Sequence, residues 1–115
     1  MCVGGGLELA LSCTHRVGSD SKKTSLQFPE VMLGILPAWG GTTRLPRLVG
    51  LQASLDMLLS GRKTDAQKAK RMGLATEVVP EALFEAKVRD FALGVGRSQG
   101  PAEPRKRALT ARLLE

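Results

Sequence analysis

Glu8 and Glu30, with the run Gly4-Gly5-Gly6 just before the first of them, are the residues whose types and spacing could do chemistry in this chain. A glycine turn that opens a helix lets a ligand approach the backbone, where exposed amides and the positive end of the helix dipole attract a negative oxygen. Such a turn can be a phosphate cradle or an oxyanion hole, and on its own it reads as readily as a flexible turn. The Lys-Ser/Thr ending of a phosphate loop and the full GxGxxG pattern are both missing. An acyl oxyanion needs only one or two well-aimed amides, so the oxyanion alternative is preferred. Glu8 falls in the first turn of that helix, the ordinary place for a carboxylate that complements the dipole. Glu30 follows Pro29 at the end of a strand and precedes an apolar loop, where partial desolvation suits a group that gives or takes a proton.

Other chemistries lack residues. Cys2, Cys13 and the single His15 form no CxxC pair and are too few for a zinc site or a disulfide framework. They point to a reduced, intracellular protein without metal. Cys13 reads as a small hydrophobe on the buried side of the first helix, and His15, with no nucleophile motif placed to use it, as a structural side chain. The net charge of +6 sits in the second half: residues 1–58 carry five basic and four acidic side chains, residues 59–115 twelve and seven. A basic half could meet RNA or a phosphate-bearing ligand. With no Tyr, one Trp and three Phe there is little for bases to stack on, so a solvated basic face is preferred and nucleic acid is not expected. The longest uncharged run, residues 31–43, is far short of the roughly 20 apolar residues of a bilayer span, and no signal peptide is expected.

The elements that must position these groups are short. Leu7, Ala10 and Leu11 have helical spacing after the glycines. Residues 15–18 and 24–28 are candidate strands around the polar turn 19–23, and residues 34–41 read as a loop. Leu51, Leu55, Leu58 and Leu59 predict a core-facing helix that Gly61 stops. Thr64 and Gln67 have capping-box spacing for a two-turn helix ending at Gly73. Residues 74–79 predict a strand, and Phe84, Val88, Phe91, Ala92 and Val95 form one helical stripe. The 115 residues allow one small domain. It is expected to occupy residues 1–96, with 97–115 a basic linker or docking helix.

The strings GGGLELALSCTHRV, FPEVMLGILPAWGGTTRLPRLVG and LLSGRKTDAQKAKRMGLATEVVP, collinear over residues 2–96, resemble the enoyl-CoA hydratase/isomerase (crotonase) family. Within it, the interval from Glu8 to Glu30 and the segment RLPRLVG are most similar to the hydratase regions of multifunctional alpha subunits of fatty acid oxidation complexes. The resemblance implies a partial domain of the α/β crotonase-like fold (the ClpP/crotonase β/α superhelix), corresponding to the second half of a hydratase. It also implies hydration of trans-2-enoyl-CoA thioesters in β-oxidation, with possible double-bond isomerisation. Gly5 matches an oxyanion-hole position, Glu8 and Glu30 match the two catalytic glutamates, and Gly4, Pro37, Trp39 and Gly40 match substrate-binding positions. No cofactor is implied beyond the coenzyme A of the substrate. The implied partners are an acyl-CoA thioester and either further copies of the chain or a fatty acid oxidation complex. The implied compartment is the bacterial cytoplasm or the mitochondrial matrix.

This sequence departs from the family pattern at two places. Ala38-Trp39-Gly40 stands where small residues are usual, so Trp39 would crowd the acyl pocket or fold away from it. Gln27 stands two before Pro29-Glu30, where a small or apolar residue is commoner. The first half of such a domain would supply the second oxyanion amide and most of the coenzyme A pocket. The chain by itself is therefore expected to lack appreciable hydratase activity and to associate through uncovered apolar faces. Two rivals are a non-catalytic crotonase-like segment serving assembly, which would have no reason to keep both glutamates, and RNA binding through Arg105, Lys106 and Arg107.

Overall fold

Strand β1 (Cys2–Val3) runs straight into helix α1 (Gly4–Ser12), followed by β2 (Val17–Ser19), β3 (Leu26–Gln27) and a 3-10 turn (Pro29–Leu33). Helices α2 (Gly41–Val49), α3 (Leu51–Ser60) and α4 (Ala66–Met72) come next, then β4 (Glu77–Val79), a second 3-10 turn (Glu81–Leu83) and α5 (Phe84–Arg97). This computed structural model describes residues 1–97. The rest of the expected basic linker, with Arg105, Lys106 and Arg107, lies outside the described residues. β1 pairs in parallel with β3, and β2 in parallel with β4. Parallel partners cannot be joined by a tight turn, so α1 and β2 cross over between the first pair and α2 to α4 between the second.

The core forms where α1, the start of the first 3-10 turn, α2 and α3 meet, around Leu7, Leu11, Phe28, Leu45, Met57 and Leu58. Several expectations need correction. The strands are shorter than the candidate runs. Residues 41–49, which received no helix of their own in the sequence reading, form α2 with Pro46 inside it. Proline removes one amide from the helix, but fully buried Leu45 anchors this short helix regardless. In α3 the buried face is Ser54, Met57 and Leu58, while Leu51, Leu55 and Leu59 lie exposed; the leucine spacing marks a helix but not its inner side. Asp65, not Thr64, caps α4, its Oδ1 accepting from the Lys68 amide at 2.8 Å. Thr64 is buried, and its own amide and carbonyl are both paired with Leu26. Cys13 lies exposed at the end of α1 instead of on its buried side.

Other expectations hold. Gly61 and Gly73 end α3 and α4 in the left-handed conformation. Phe84, Val88, Phe91 and Val95 of α5 are half-buried along one stripe, with Ala92 outside it. His15 meets the Phe91 ring edge-on, with centroids 5.5 Å apart. No helix among the described residues is long and apolar enough to cross a membrane.

Leu45→Ala, which empties a fully buried site, is expected to cost about 2–5 kcal/mol, whereas Leu59→Ala, at a largely exposed position, should change stability by about 0.5 kcal/mol or less. Urea unfolding midpoints of the two variants test whether α2 is held by its proline-containing segment's one core leucine. Equal shifts would contradict it.

Candidate active site

The site is assembled around the first turn of α1. Gly4 takes φ of +54°, a turn from strand to helix that a side chain would strain. A Cβ there would also lie 3.1 Å from Oε1 of Glu30, so the carboxylate rests directly against this glycine. Val3, at the N-cap, offers no side-chain acceptor to the first-turn amides. The turn is thus the arrangement that an incoming oxygen could complete.

Glu30 is the second residue of the 3-10 turn, one step beyond the strand end where the sequence reading put it. Among the described residues its Oε2 is buried without a hydrogen-bond partner, an uncommon state for a carboxylate oxygen. Gln27, the departure near it, does not disturb it: the Gln27 amide turns to the carbonyl of Gly61 and donates at 2.7 Å.

Glu8 is almost completely buried. It lies beyond the first turn of α1, and its electrostatic partner is a different helix. Oε1 accepts from the Trp39 amide and from the Gly41 amide, each at 2.9 Å. Gly41 is the first residue of α2, whose N-cap Gly40 brings no side chain. The carboxylate therefore does a cap's work from across the fold, at the positive end of the α2 dipole. Among the described residues no hydrogen bond falls on its Oε2.

Trp39 connects the two halves of the site. Its backbone is tied to Glu8, and its indole lies over Gly5, where a Cβ would come within 2.8 Å of Cζ3. Most of the residue is nevertheless open, since Trp39 is 75% exposed. Pro37 is buried where the loop turns inward, and Gly40 sits in the left-handed region between Trp39 and α2. The α1 glycines, both glutamates and the 37–41 loop thus meet at one place, as the sequence reading groups them. It missed the Trp39 and Gly41 amides as partners of Glu8. A glycine pair leading into Thr42-Thr43-Arg44 was the available sign of a helix start needing an outside acceptor. Arg44 donates to the Trp39 carbonyl at 2.9 Å.

The family model described as Enoyl-CoA hydratase/isomerase matches residues 1–99. The chain belongs to the enoyl-CoA hydratase/isomerase family. It is 51% identical over 114 residues to the fatty acid oxidation complex subunit alpha of Shewanella loihica, and 49% identical to that of another Shewanella strain. Each match covers 99% of this chain and 16% of the relative. Among solved structures, the enoyl-CoA hydratase of Bacillus anthracis aligns with TM-score 0.79 and 42% identity, covering 87% of this chain and 38% of that one. A Geobacillus kaustophilus hydratase subunit aligns with TM-score 0.77 and 36% identity over 98% of this chain and 40% of its own. The fold is crotonase-like and α/β, and the chain spans less than half the length of the hydratases it matches and about a sixth of the complex subunits.

Within this family member the Glu8 carboxylate carries a structural duty that must be separated from any chemical one. Glu8→Ala leaves two amides without an acceptor, at about 1–3 kcal/mol each when buried, and is expected to lower stability by about 2–4 kcal/mol in urea unfolding. Glu8→Gln keeps a carbonyl oxygen in place and should cost about 1 kcal/mol or less. Equal losses would mean that the two bonds do not hold the loop.

Proposed function

We propose that this chain supplies both carboxylates and one oxyanion amide of an enoyl-CoA hydratase site. The observation that carries the reading is the contrast between two glutamates at one glycine turn. Glu8 is fixed by two amides on a single oxygen, while Glu30 keeps a buried oxygen without a partner among the described residues. Hydration of a trans-2-enoyl thioester needs this division. The Gly5 amide polarises the thioester oxygen, which makes C3 electrophilic and stabilises the enolate. Glu8 takes a proton from water as the water oxygen bonds to C3, the double-bond pair moves toward the thioester, and Glu30 delivers its proton to C2. Water is added across the double bond, and the proton gained by Glu8 balances the one lost by Glu30. Shuttling by Glu30 between C4 and C2 alone would give isomerisation instead.

Gly4, Pro37, Trp39 and Gly40 would line the acyl-thioester end of the substrate. The chemistry draws on the substrate's coenzyme A and on protein groups. In this reading residues 1–96 belong to the hydratase domain and 97–115 to a basic linker or docking helix. The chain acts within a homo-oligomer or a fatty acid oxidation complex, in a bacterial cytoplasm or a mitochondrial matrix. An assembly role without catalysis is the second reading, and the exposed row Leu51, Leu55 and Leu59 favours it.

A chimera joining the first part of the Bacillus anthracis hydratase to this chain separates the two. Glu30→Gln in that chimera should lower hydration of a short enoyl-CoA by the roughly 10²–10⁴ of a general acid-base group, leaving ester binding nearly unchanged. Glu8→Gln should be as severe for hydration and milder for isomerisation. Turnover near that of the parent chimera in both variants would sink the assignment and leave the assembly role.

A further inference from the structure

We infer that Arg44 is a positioning residue of the site: through the Trp39 carbonyl it holds the indole on Gly5 and the Trp39 amide on Glu8. The inference rests on the hydratase reading for its kinetic consequence, but its geometry stands apart from it. Arg44 lies in the first turn of α2, and its amide donates to the Gly40 carbonyl at 2.8 Å. Its side chain folds back over the same residue, and Nη1 donates to the Trp39 carbonyl at 2.9 Å. A Cβ on Gly40 would sit 2.1 Å from Nη1, so the guanidinium rests against a glycine that has to be bare.

Trp39 is therefore gripped on both sides of its α-carbon. Its amide is held by Glu8 and its carbonyl by Arg44, which leaves the backbone little freedom to rotate and aims the side chain. The aim matters because the ring presses on Gly5, the residue whose amide would face the thioester oxygen. An indole this exposed has little surrounding protein to hold it; the backbone grip does so instead. A guanidinium engaged with a carbonyl at this loop is also not extended toward solvent to meet a phosphate. The arrangement argues for orientation of the reacting end, not for recognition of the coenzyme A end.

The reporter is built in, since Trp39 is the only tryptophan and the chain has no tyrosine. In the 115-residue chain, Arg44→Met, which keeps the stem but removes the donor, should lower the steady-state anisotropy of Trp39 emission. Arg44→Lys should restore most of it. Arg44→Leu, a second removal of the donor, should reproduce the Arg44→Met result. It supplies an independent reading if Arg44→Met loses the helical circular dichroism of the parent. In the hydratase chimera, Arg44→Met should lower kcat about 10- to 100-fold, the scale of a misplacement near 1 Å, with KM within about twofold. Unchanged anisotropy in folded Arg44→Met and Arg44→Leu, or a raised KM with kcat intact, overturns the proposal; the latter would assign Arg44 to phosphate contact. A parent chimera that hydrates no enoyl-CoA defeats the hydratase reading itself, and the anisotropy measurements then decide the Arg44 proposal alone.

Discussion

The two amide bonds accepted by Oε1 of Glu8 are the constraint around which the rest of this molecule is arranged. A buried carboxylate needs donors, because losing water without replacing its hydrogen bonds is costly. A helix that starts on glycine needs an acceptor for its first amides. Each requirement is met by the other. The bonds join residues more than thirty positions apart and thereby fix α2 against α1, with Leu45 and Phe28 packed beside them.

That single contact also explains why the site is built from glycines. Glu30 reaches Gly4, the indole reaches Gly5 and Glu8 reaches Gly41, and at each of the three a methyl group would enter a space that side-chain atoms already occupy. Close approach of side chains to bare backbone replaces the usual packing of side chain on side chain. The result is a site in which the Glu8 carboxylate is held by backbone amides and not by flexible neighbours, which is the condition for charge stabilisation without reorganisation. Gln27 and Arg44 are both turned to backbone carbonyls, of Gly61 and Trp39 respectively.

The described surface is apolar in one region. Met32 and Leu33 end the first 3-10 turn, Ile35 and Leu36 follow it, and Leu51, Leu55 and Leu59 run along the outer side of α3, which packs against that turn. Single exposed leucines are ordinary, whereas several on neighbouring elements are less so. The same helix therefore serves the core with Met57 and Leu58 and the surface with its other leucines, so a leucine-rich pattern alone is ambiguous about direction.

By itself the sequence determined which residues have the right chemistry and where helices stop. The glycine turn before Leu7, the glutamates at 8 and 30, the stops at Gly61 and Gly73 and the half-buried stripe of α5 all follow from local spacing, because a helix face and a left-handed stop are set by residues within a few positions of each other. Tertiary structure alone decided the partners. Nothing within a few residues of Glu8 announces that its acceptor oxygen caps α2, that Thr64 is drawn into a bridge with Leu26 so that the cap passes to Asp65, or that a proline-containing segment becomes a helix because Leu45 is buried. The inner face of α3 was likewise settled by what packs on it. Those outcomes depend on which segments meet across the fold, and long-range contact is the one quantity that periodicity in a single chain does not encode.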